Sequence, residues 1–339
     1  MKVILLFGGA SEEYEISLRS TAAVLSAFPT EHTPIPVGID RQGGWYRTSA
    51  APEAILADAW QAGAQPVTMD PHRRALVADG KAIAADVVLP LLHGGLGEGG
   101  GVAALLALLS IPCVGCSLTA GAVGMDKVLT KQLATVDGIP TADFCVVTES
   151  DLADPCLPSR LGERFGYPYF VKPATQGSSV GASRVLTEAE APAALRAALS
   201  YGGRALCEEF LRGAEVEVAL LERDGALLAT SVGEIEPAAP FYDYVAKYES
   251  RASRIFIPAR ISRAERDKVR EYACRLFRLL GCRGLSRVDF FVTEDGRVLL
   301  NEINTMPGFT DISMFPRLWQ AAGLGMTELV NVLLENAVK

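Results

Sequence analysis

Apolar residues recur along this chain with two different periods, and the change between them marks its organisation. Val3 to Phe7 is an unbroken apolar run ending in Gly8-Gly9, the pattern of a strand buried on both faces and followed by a loop. Leu18, Thr21, Ala22 and Leu25 then recur at helical spacing. The stretch DVVLPLLHGGLGEGG repeats the plan, and an Ala/Leu helix over 102–109 follows it. Strand–loop–helix units of this kind build parallel sheets, and ligands collect at the carboxyl ends of their strands.

Beyond these first ~120 residues a second region begins with a helix and continues through short strands. SLTAGAVGMDKVLTKQLATVDG reads as one helix closed by Gly138 and Pro140. YPYFVKPATQGSSVGASRV reads as two short strands around a polar loop, and DGALLATSVGEIEP as another strand pair. A helix ends the chain. The stretch 236–258 is polar, aromatic and weakly periodic, and at that length it reads as a functional loop.

RVDFFVTEDGRVLLNEIN, residues 287–304, is the most informative segment. Asp295-Gly296 predicts a two-residue type I′ turn between two strands. That register sets Asp289 opposite Glu302 and Arg287 opposite Asn304, with Phe290, Val292, Leu299 and Ile303 on the other face. Opposed carboxylates destabilise a strand pair. Two carboxylates and an amide oxygen are hard ligands suited to Mg²⁺, which would relieve the repulsion and hold substrate phosphates. A solvated acidic face is the other reading, and a one-residue slip would turn every side chain over.

Composition narrows the field. The chain has 339 residues, too many for one ordinary core, so two or three packed domains are expected. Hydrophobic residues at 49% and charged residues at 21% mark a folded globular protein. A formal net charge of −8 without any Lys/Arg block argues against nucleic-acid and anionic-membrane partners. The opening MKVILLFGG is too short in apolar residues for a signal peptide, and no apolar run could span a bilayer. Seven cysteines with a single C-x-x-C pair, Cys113 and Cys116, make no zinc site and suit reduced thiols in a cytoplasmic protein.

Other motifs carry chemistry less specifically. In FVKPATQGSSVG, Lys172 precedes Gly177, Ser178, Ser179 and Gly181, and such a loop can wrap phosphate oxygens with its N–H groups. A plain Gly/Ser hairpin turn would read the same. NTMPGFTDISMFP offers backbone N–H groups around Gly308 to an oxyanion, or is a structural turn. Glu12 and Glu13 follow the first strand, where acids also favour a helix start. His93 closes an apolar strand as a ligand contact or as a satisfied core residue.

Taken in order, LFGGASEEYEISLRS, LLHGGLGEGG, GMDKVLTKQL, FVKPATQGSSVGASRV, FYDYVAKY and RVDFFVTEDGRVLLNEINTMPGFTDISMFP resemble the D-alanine–D-alanine ligase family of ATP-grasp enzymes across nearly the whole chain. The resemblance implies an α/β protein, α+β in its ATP-grasp part, of three domains. These are a Rossmann-like N-terminal domain at 1–121, a central ATP-grasp subdomain at 122–206, and a C-terminal subdomain at 207–339 with the metal site and lid loop. It implies ATP-dependent joining of two D-alanines through an acylphosphate, for peptidoglycan precursors, in a cytoplasmic homodimer. ATP and two Mg²⁺ ions, replaceable by Mn²⁺, are the implied cofactors.

By the same resemblance Lys127, Lys172, Gly177, Ser178, Ser179 and Lys247 serve the nucleotide phosphates and the loops that close over them. Glu208, Glu209, Phe210 and Leu211 would lie along adenine, with Glu215 on the ribose. Asp289, Glu302 and Asn304 would ligate the metal ions. Glu13 would bind the first substrate's ammonium near His93, and Arg287 with the N–H of Gly308 would stabilise the oxyanion. Ser313 and Met314 would hold the second substrate, and Ser178 with Tyr248 would link Glu13 to the lid. The chain departs from the family at Gly99, where an aspartate is usual, and at Ala103, where a glutamine is usual.

Within the same class, a resistance-type ligase joining D-alanine to D-serine or D-lactate is the alternative. Met314 favours a methyl group over a hydroxyl, by a modest physical margin. Lys247-Tyr248 stands where D-lactate relatives carry a histidine. A nucleotide-binding protein without catalysis is the alternative of another class.

Overall fold

A computed structural model describes residues 1–236 and 254–339, and they build three sheets. In the first, the apolar strand Lys2–Gly8 is flanked in parallel by Thr33–Ile39 and Val87–Pro90. The helix Tyr14–Ser26 makes the crossover between the first two strands. This is the expected βα unit. Four further strands, Trp45–Arg47, Gln65–Asp70, Ala75–Ala78 and Lys81–Ala82, extend it as an antiparallel meander to seven strands. That meander leaves no mark in the apolar pattern, because Gln65–Asp70 buries only Val67 and carries no apolar run.

The second sheet has four antiparallel strands in the order Ser183–Val185, Tyr169–Pro173, Arg204–Glu209, Phe144–Thr148. The helices Leu157–Phe165 and Ala191–Leu199 bury Leu161, Leu195 and Leu199 against it. Arg204–Glu209 pairs within this sheet along its whole length, so we propose that the central domain ends after Glu209 rather than at 206.

The third sheet is built on the long strand Gly213–Arg223, which pairs antiparallel with Gly233–Glu236 and Leu285–Thr293. Val298–Asn304 and Arg254–Phe256 complete its edges. One face packs on the helix Arg263–Leu279, which Ser262 and Glu265 open with a reciprocal capping box. The other face packs on the helices Met314–Ala321 and Met326–Ala337, and the same cluster takes in Val3, Leu5, Val87 and Leu89 of the first sheet. The first and third sheets therefore share a core. No helix among the described residues is long and apolar enough to cross a membrane.

Three local expectations change. The segment 117–138 is two helices, Leu118–Met125 and Lys127–Val136, because Asp126 leaves helical geometry. Its carboxylate accepts from the N–H groups of Val128 and Leu129 and caps the second helix. The strands Ala226–Ala229 and Gly233–Glu236 do not pair with each other; each pairs with Gly213–Arg223.

The hairpin turn also differs. Thr293 N–H donates to the Arg297 carbonyl at 3.0 Å, enclosing a three-residue loop in which Gly296 has φ +80°. A loop ending in a left-handed glycine replaces the type I′ turn. This moves the pairing by one residue, so Leu300 rather than Leu299 joins Phe290, Val292 and Ile303 in the cluster beneath the helix Arg263–Leu279, although Leu299 is buried too. A β-bulge at Asn301 then restores the expected register, with Asp289 opposite Glu302 and Arg287 opposite Asn304.

The left-handed Gly296 yields a stability test. Gly296→Ala should cost about 1–2 kcal/mol, and Gly296→Asn clearly less, because asparagine tolerates that conformation. Urea unfolding of both variants measures the difference; equal costs would rule out the loop conformation.

Candidate active site

Two clefts open beside the hairpin, and they meet at Lys127 and Glu302. The larger lies between the second and third sheets. Lys172, Ser179, Glu208, Glu209, Phe210, Leu211 and Glu215, the residues that the resemblance assigns to the nucleotide, line it together. Phe170 and Phe210 stack with ring centroids 5.8 Å apart, an apolar wall fit for a flat base. Asn301 also lines it, because the bulge brings both Asn301 and Glu302 to this face. The smaller cleft gathers Glu13, His93, Gly177, Ser178, Arg287, Asn304, Gly308, Ser313 and Met314. Lys247 and Tyr248 lie outside the described residues.

A row of carboxylates runs across three neighbouring strands of the third sheet. Glu217 faces Asp289, and Asp289 faces Glu302. Asp289 is 1% exposed and Glu217 is 4%. Buried anions this close demand cations, and the chain supplies two. The Arg287 guanidinium forks onto Asp289, with Nε 2.8 Å and Nη2 2.7 Å from its oxygens, and Nε lies 2.9 Å from Glu217. Lys127 Nζ sits 3.0 Å from Glu302 and donates to the Gln176 carbonyl at 2.7 Å. The break at Asp126 is what sets Lys127 at the start of its helix, in reach of both. Glu217 was missed from sequence, although its alternation with Glu215 in GAEVEV placed both on one face.

This donor set fits Mg²⁺. Asp289 and Glu302 bring carboxylate oxygens and Asn304 an amide oxygen, and all three project from one face of the hairpin. Asn304 Oδ1 accepts from the Met306 N–H at 3.2 Å. Among the described residues no cluster of three His, Cys, Asp or Glu groups could hold an ion by itself. An ion here would need oxygens from a substrate, as Mg²⁺ commonly does.

Glu13 stands at the N-terminal end of Tyr14–Ser26 but makes no cap with its side chain. It reaches across the cleft instead, and Ser178 Oγ donates to its Oε1. Ser178 and Ser179 both have left-handed backbone, at φ 49° and 59°, a strained pair of the kind that collects at working sites. Gly94 beside them has φ +63°, a conformation that suits glycine, and a Cβ there would crowd the Glu13 carboxylate.

His93 proves to be a buried, doubly partnered residue that also lines the cleft. Its Nδ1 lies 3.1 Å from the Met306 carbonyl and its Nε2 3.0 Å from Ser20 Oγ, which accepts from the Phe309 N–H. That chain fixes the tautomer with the proton on Nδ1. Burial holds the imidazole below its ordinary pKa and so neutral. The ring thereby ties the first sheet's loop to the segment carrying Gly308. Ser313 Oγ lies 2.7 Å from Thr310 Oγ1, ahead of the helix Met314–Ala321.

Around the smaller cleft Glu13, Glu98, Glu217 and Glu302 outnumber Lys127 and Arg287. Burial, with the charge of Glu13, pushes Glu98 up to about 8, while the Gly94 N–H donates to it at 3.3 Å. Glu98 therefore keeps its proton at neutral pH.

Comparison with known proteins agrees with this geometry. Residues 2–116 match the family described as "D-ala D-ala ligase N-terminus", and residues 133–335 match "D-ala D-ala ligase C-terminus". A D-alanine–D-alanine ligase of Clostridium novyi is 40% identical, over 100% of this chain and 98% of its own length. The solved VanG D-Ala:D-Ser ligase of Enterococcus faecalis superposes with a TM-score of 0.90 at 34% identity, covering 99% of both chains. The D-alanine–D-alanine ligase of Coxiella burnetii does so with a TM-score of 0.86 at 34% identity, covering 100% of this chain and 95% of that one. With both halves matched and such identity along its whole length, this chain belongs to the D-alanine–D-alanine ligase family.

Proposed function

We propose that this protein is an ATP-dependent ligase that joins two D-alanines for peptidoglycan precursor synthesis, acting in the cytoplasm as a homodimer. Small molecules are its partners in this reading, without nucleic acid or membrane. The observation that carries it is the meeting of a phosphate-suited cleft and an ammonium-suited cleft at Lys127 and Glu302.

In the proposed reaction the first D-alanine's carboxylate attacks the γ-phosphorus of ATP, giving an acylphosphate and ADP. The second D-alanine's amine then attacks the acyl carbon, and phosphate leaves. Lys172, with the N–H groups of the Gly177–Ser179 loop, takes the phosphate chain, and Glu208 to Leu211 with Glu215 take the nucleoside. Asp289, Glu302 and Asn304 would hold Mg²⁺, which when bound neutralises phosphate oxygens. Glu13 receives the first ammonium as a charge-assisted bond, oriented by Ser178. Arg287, already fixed by Asp289 and Glu217, and the N–H of Gly308 meet the oxyanion of the tetrahedral intermediate. The start of the helix Met314–Ala321, with Ser313, suits the second substrate's carboxylate, and Met314 its methyl group. Lys247 and Tyr248 would complete the closure that keeps water from the acylphosphate.

The 0.90 TM-score against a D-Ala:D-Ser ligase keeps D-serine as the second reading. Phosphate release from ATP with D-alanine alone, then with D-serine or D-lactate added, separates the two when the products are weighed. D-alanyl-D-alanine should dominate. A D-serine product at equal concentrations would favour the second reading, and no phosphate release with any substrate would sink both.

Replacing Glu302 by glutamine should leave the melting temperature within a few degrees and cut turnover on the order of 100-fold. Unchanged turnover would remove Glu302 from the metal set.

Glu98 gives a pH test. It holds its proton to about pH 8 when folded and loses it near the ordinary carboxylate value when unfolded. Between those values the folded state binds more protons, so stability falls as pH rises through the window. The wild type should lose roughly 2–6 °C more than Glu98→Gln between pH 5.5 and 8.5 in thermal melts. Parallel losses would show that Glu98 is ionised in the fold.

A further inference from the structure

A buried ammonium lies at the floor of the nucleotide cleft with no role in the reaction above. Lys131 stands one turn beyond Lys127 on the helix Lys127–Val136 and is 1% exposed. Its Nζ lies 3.1 Å from Glu208 Oε2 and 3.4 Å from the Leu300 carbonyl. The other oxygen of Glu208 pairs with Lys172. One carboxylate thus sits between two ammonium groups, itself only 4% exposed. Burial acts to raise the Glu208 pKa, but Lys131 and Lys172 outweigh it and hold the carboxyl at about 2.

The charge balance decides what this triad can do. With both lysines the floor carries one net positive charge. Without Lys131, Glu208 and Lys172 would cancel, and a polyanionic phosphate chain would meet a neutral wall. A group needed only to hold the fold would be cheaper as a hydrophobe, since desolvating an ammonium costs several kcal/mol. We propose that Lys131 is a positioning residue for the nucleotide: it neutralises Glu208 from below and leaves the Lys172 charge available to the phosphates. This rests on the ATP reading above and adds to it a residue that need not touch ATP.

Calorimetric titration of the full chain in magnesium buffer, with ATP and with adenosine, tests it. Lys131→Met should weaken ATP on the order of tenfold, the effect of about 1.4 kcal/mol, and leave adenosine almost unchanged. In steady state the KM for ATP should rise while the KM for D-alanine and kcat hold. The double variant Lys131→Met/Glu208→Gln restores one net positive charge and should regain most of the lost ATP preference over adenosine, a ratio in which a change at the adenine contact of Glu208 cancels. Equal weakening of ATP and adenosine, or a double variant no better than Lys131→Met, would overturn the proposal. If Lys131→Met does not fold, the same tenfold, ATP-specific loss is read on Lys131→Gln, which keeps a donor to Glu208 without the charge, and its absence is equally fatal. A wild type that binds adenosine but not ATP defeats this role and the ATP reading together, whereas ATP binding without D-alanine turnover defeats only the ligase reading.

Discussion

Like-charge repulsion across three strands is the constraint around which the site is arranged. Glu217, Asp289 and Glu302 face one another in a single cross-strand row, two of them almost fully buried. Such a row destabilises a sheet unless cations are brought to it. Arg287 comes from within the sheet and forks onto Asp289, and Lys127 comes from a helix outside it onto Glu302. Each cation has a local cause in the sequence. Arg287 is two residues from Asp289 on the same strand, so both project from one face. Lys127 is in place because Asp126 interrupts the preceding helix and caps the next.

The same arrangement gives the two clefts different characters. Toward the nucleotide side, Lys127, Lys131 and Lys172 gather around Glu208 and Glu302, a locally cationic floor in a lining that Arg212, Glu209 and Glu215 bring to overall balance. Toward the small cleft, carboxylates prevail even after Glu98 is counted as protonated. An ammonium group would therefore be drawn to the small cleft, and an anionic tail to the lysines on the floor of the other. Lys127 and Glu302, shared by both clefts, lie where the two meet, which is where a phosphoryl group would pass in the proposed reaction.

Much of this could be read from residue order. The parallel strand at the amino terminus, the Gly/Ser loop after Lys172 and the facing pairs Asp289–Glu302 and Arg287–Asn304 all follow from apolar runs, glycine spacing and the period of a strand. The facing pairs are right although the turn is not. A three-residue loop shifts the ladder by one place and the bulge at Asn301 shifts it back, and neither shift changes the alternation near the site. Bulges leave no mark in the apolar pattern, so Asn301 could not be found that way. Lys131 was illegible for another reason. A lysine at i+4 from Lys127 looks like a solvated helix position until the tertiary fold buries it against Glu208. The antiparallel meander at 45–82 was hidden by strands whose outer faces are polar.

Coupling between the sheets follows from where these partners sit. Glu13 belongs to the first sheet's loop and Ser178 to the second's, and their bond spans the cleft. Lys127 joins the Gln176 carbonyl of that second loop to Glu302 of the third sheet. His93 ties the first loop to Met306, and through Ser20 to Phe309, on either side of Gly308. Each contact alone is worth little more than a hydrogen bond or a partly buried ion pair, about 1–3 kcal/mol. Their geometry matters more than their sum, because all converge on one small volume. A shift of the loop at 176–179 would release Glu13 and Lys127 together, opening both clefts in the same motion. Binding at one cleft would then favour the arrangement that the other requires, by nothing more than shared side chains. In a reaction whose acylphosphate must be kept from water, filling both clefts before the loop settles is the order that this geometry favours.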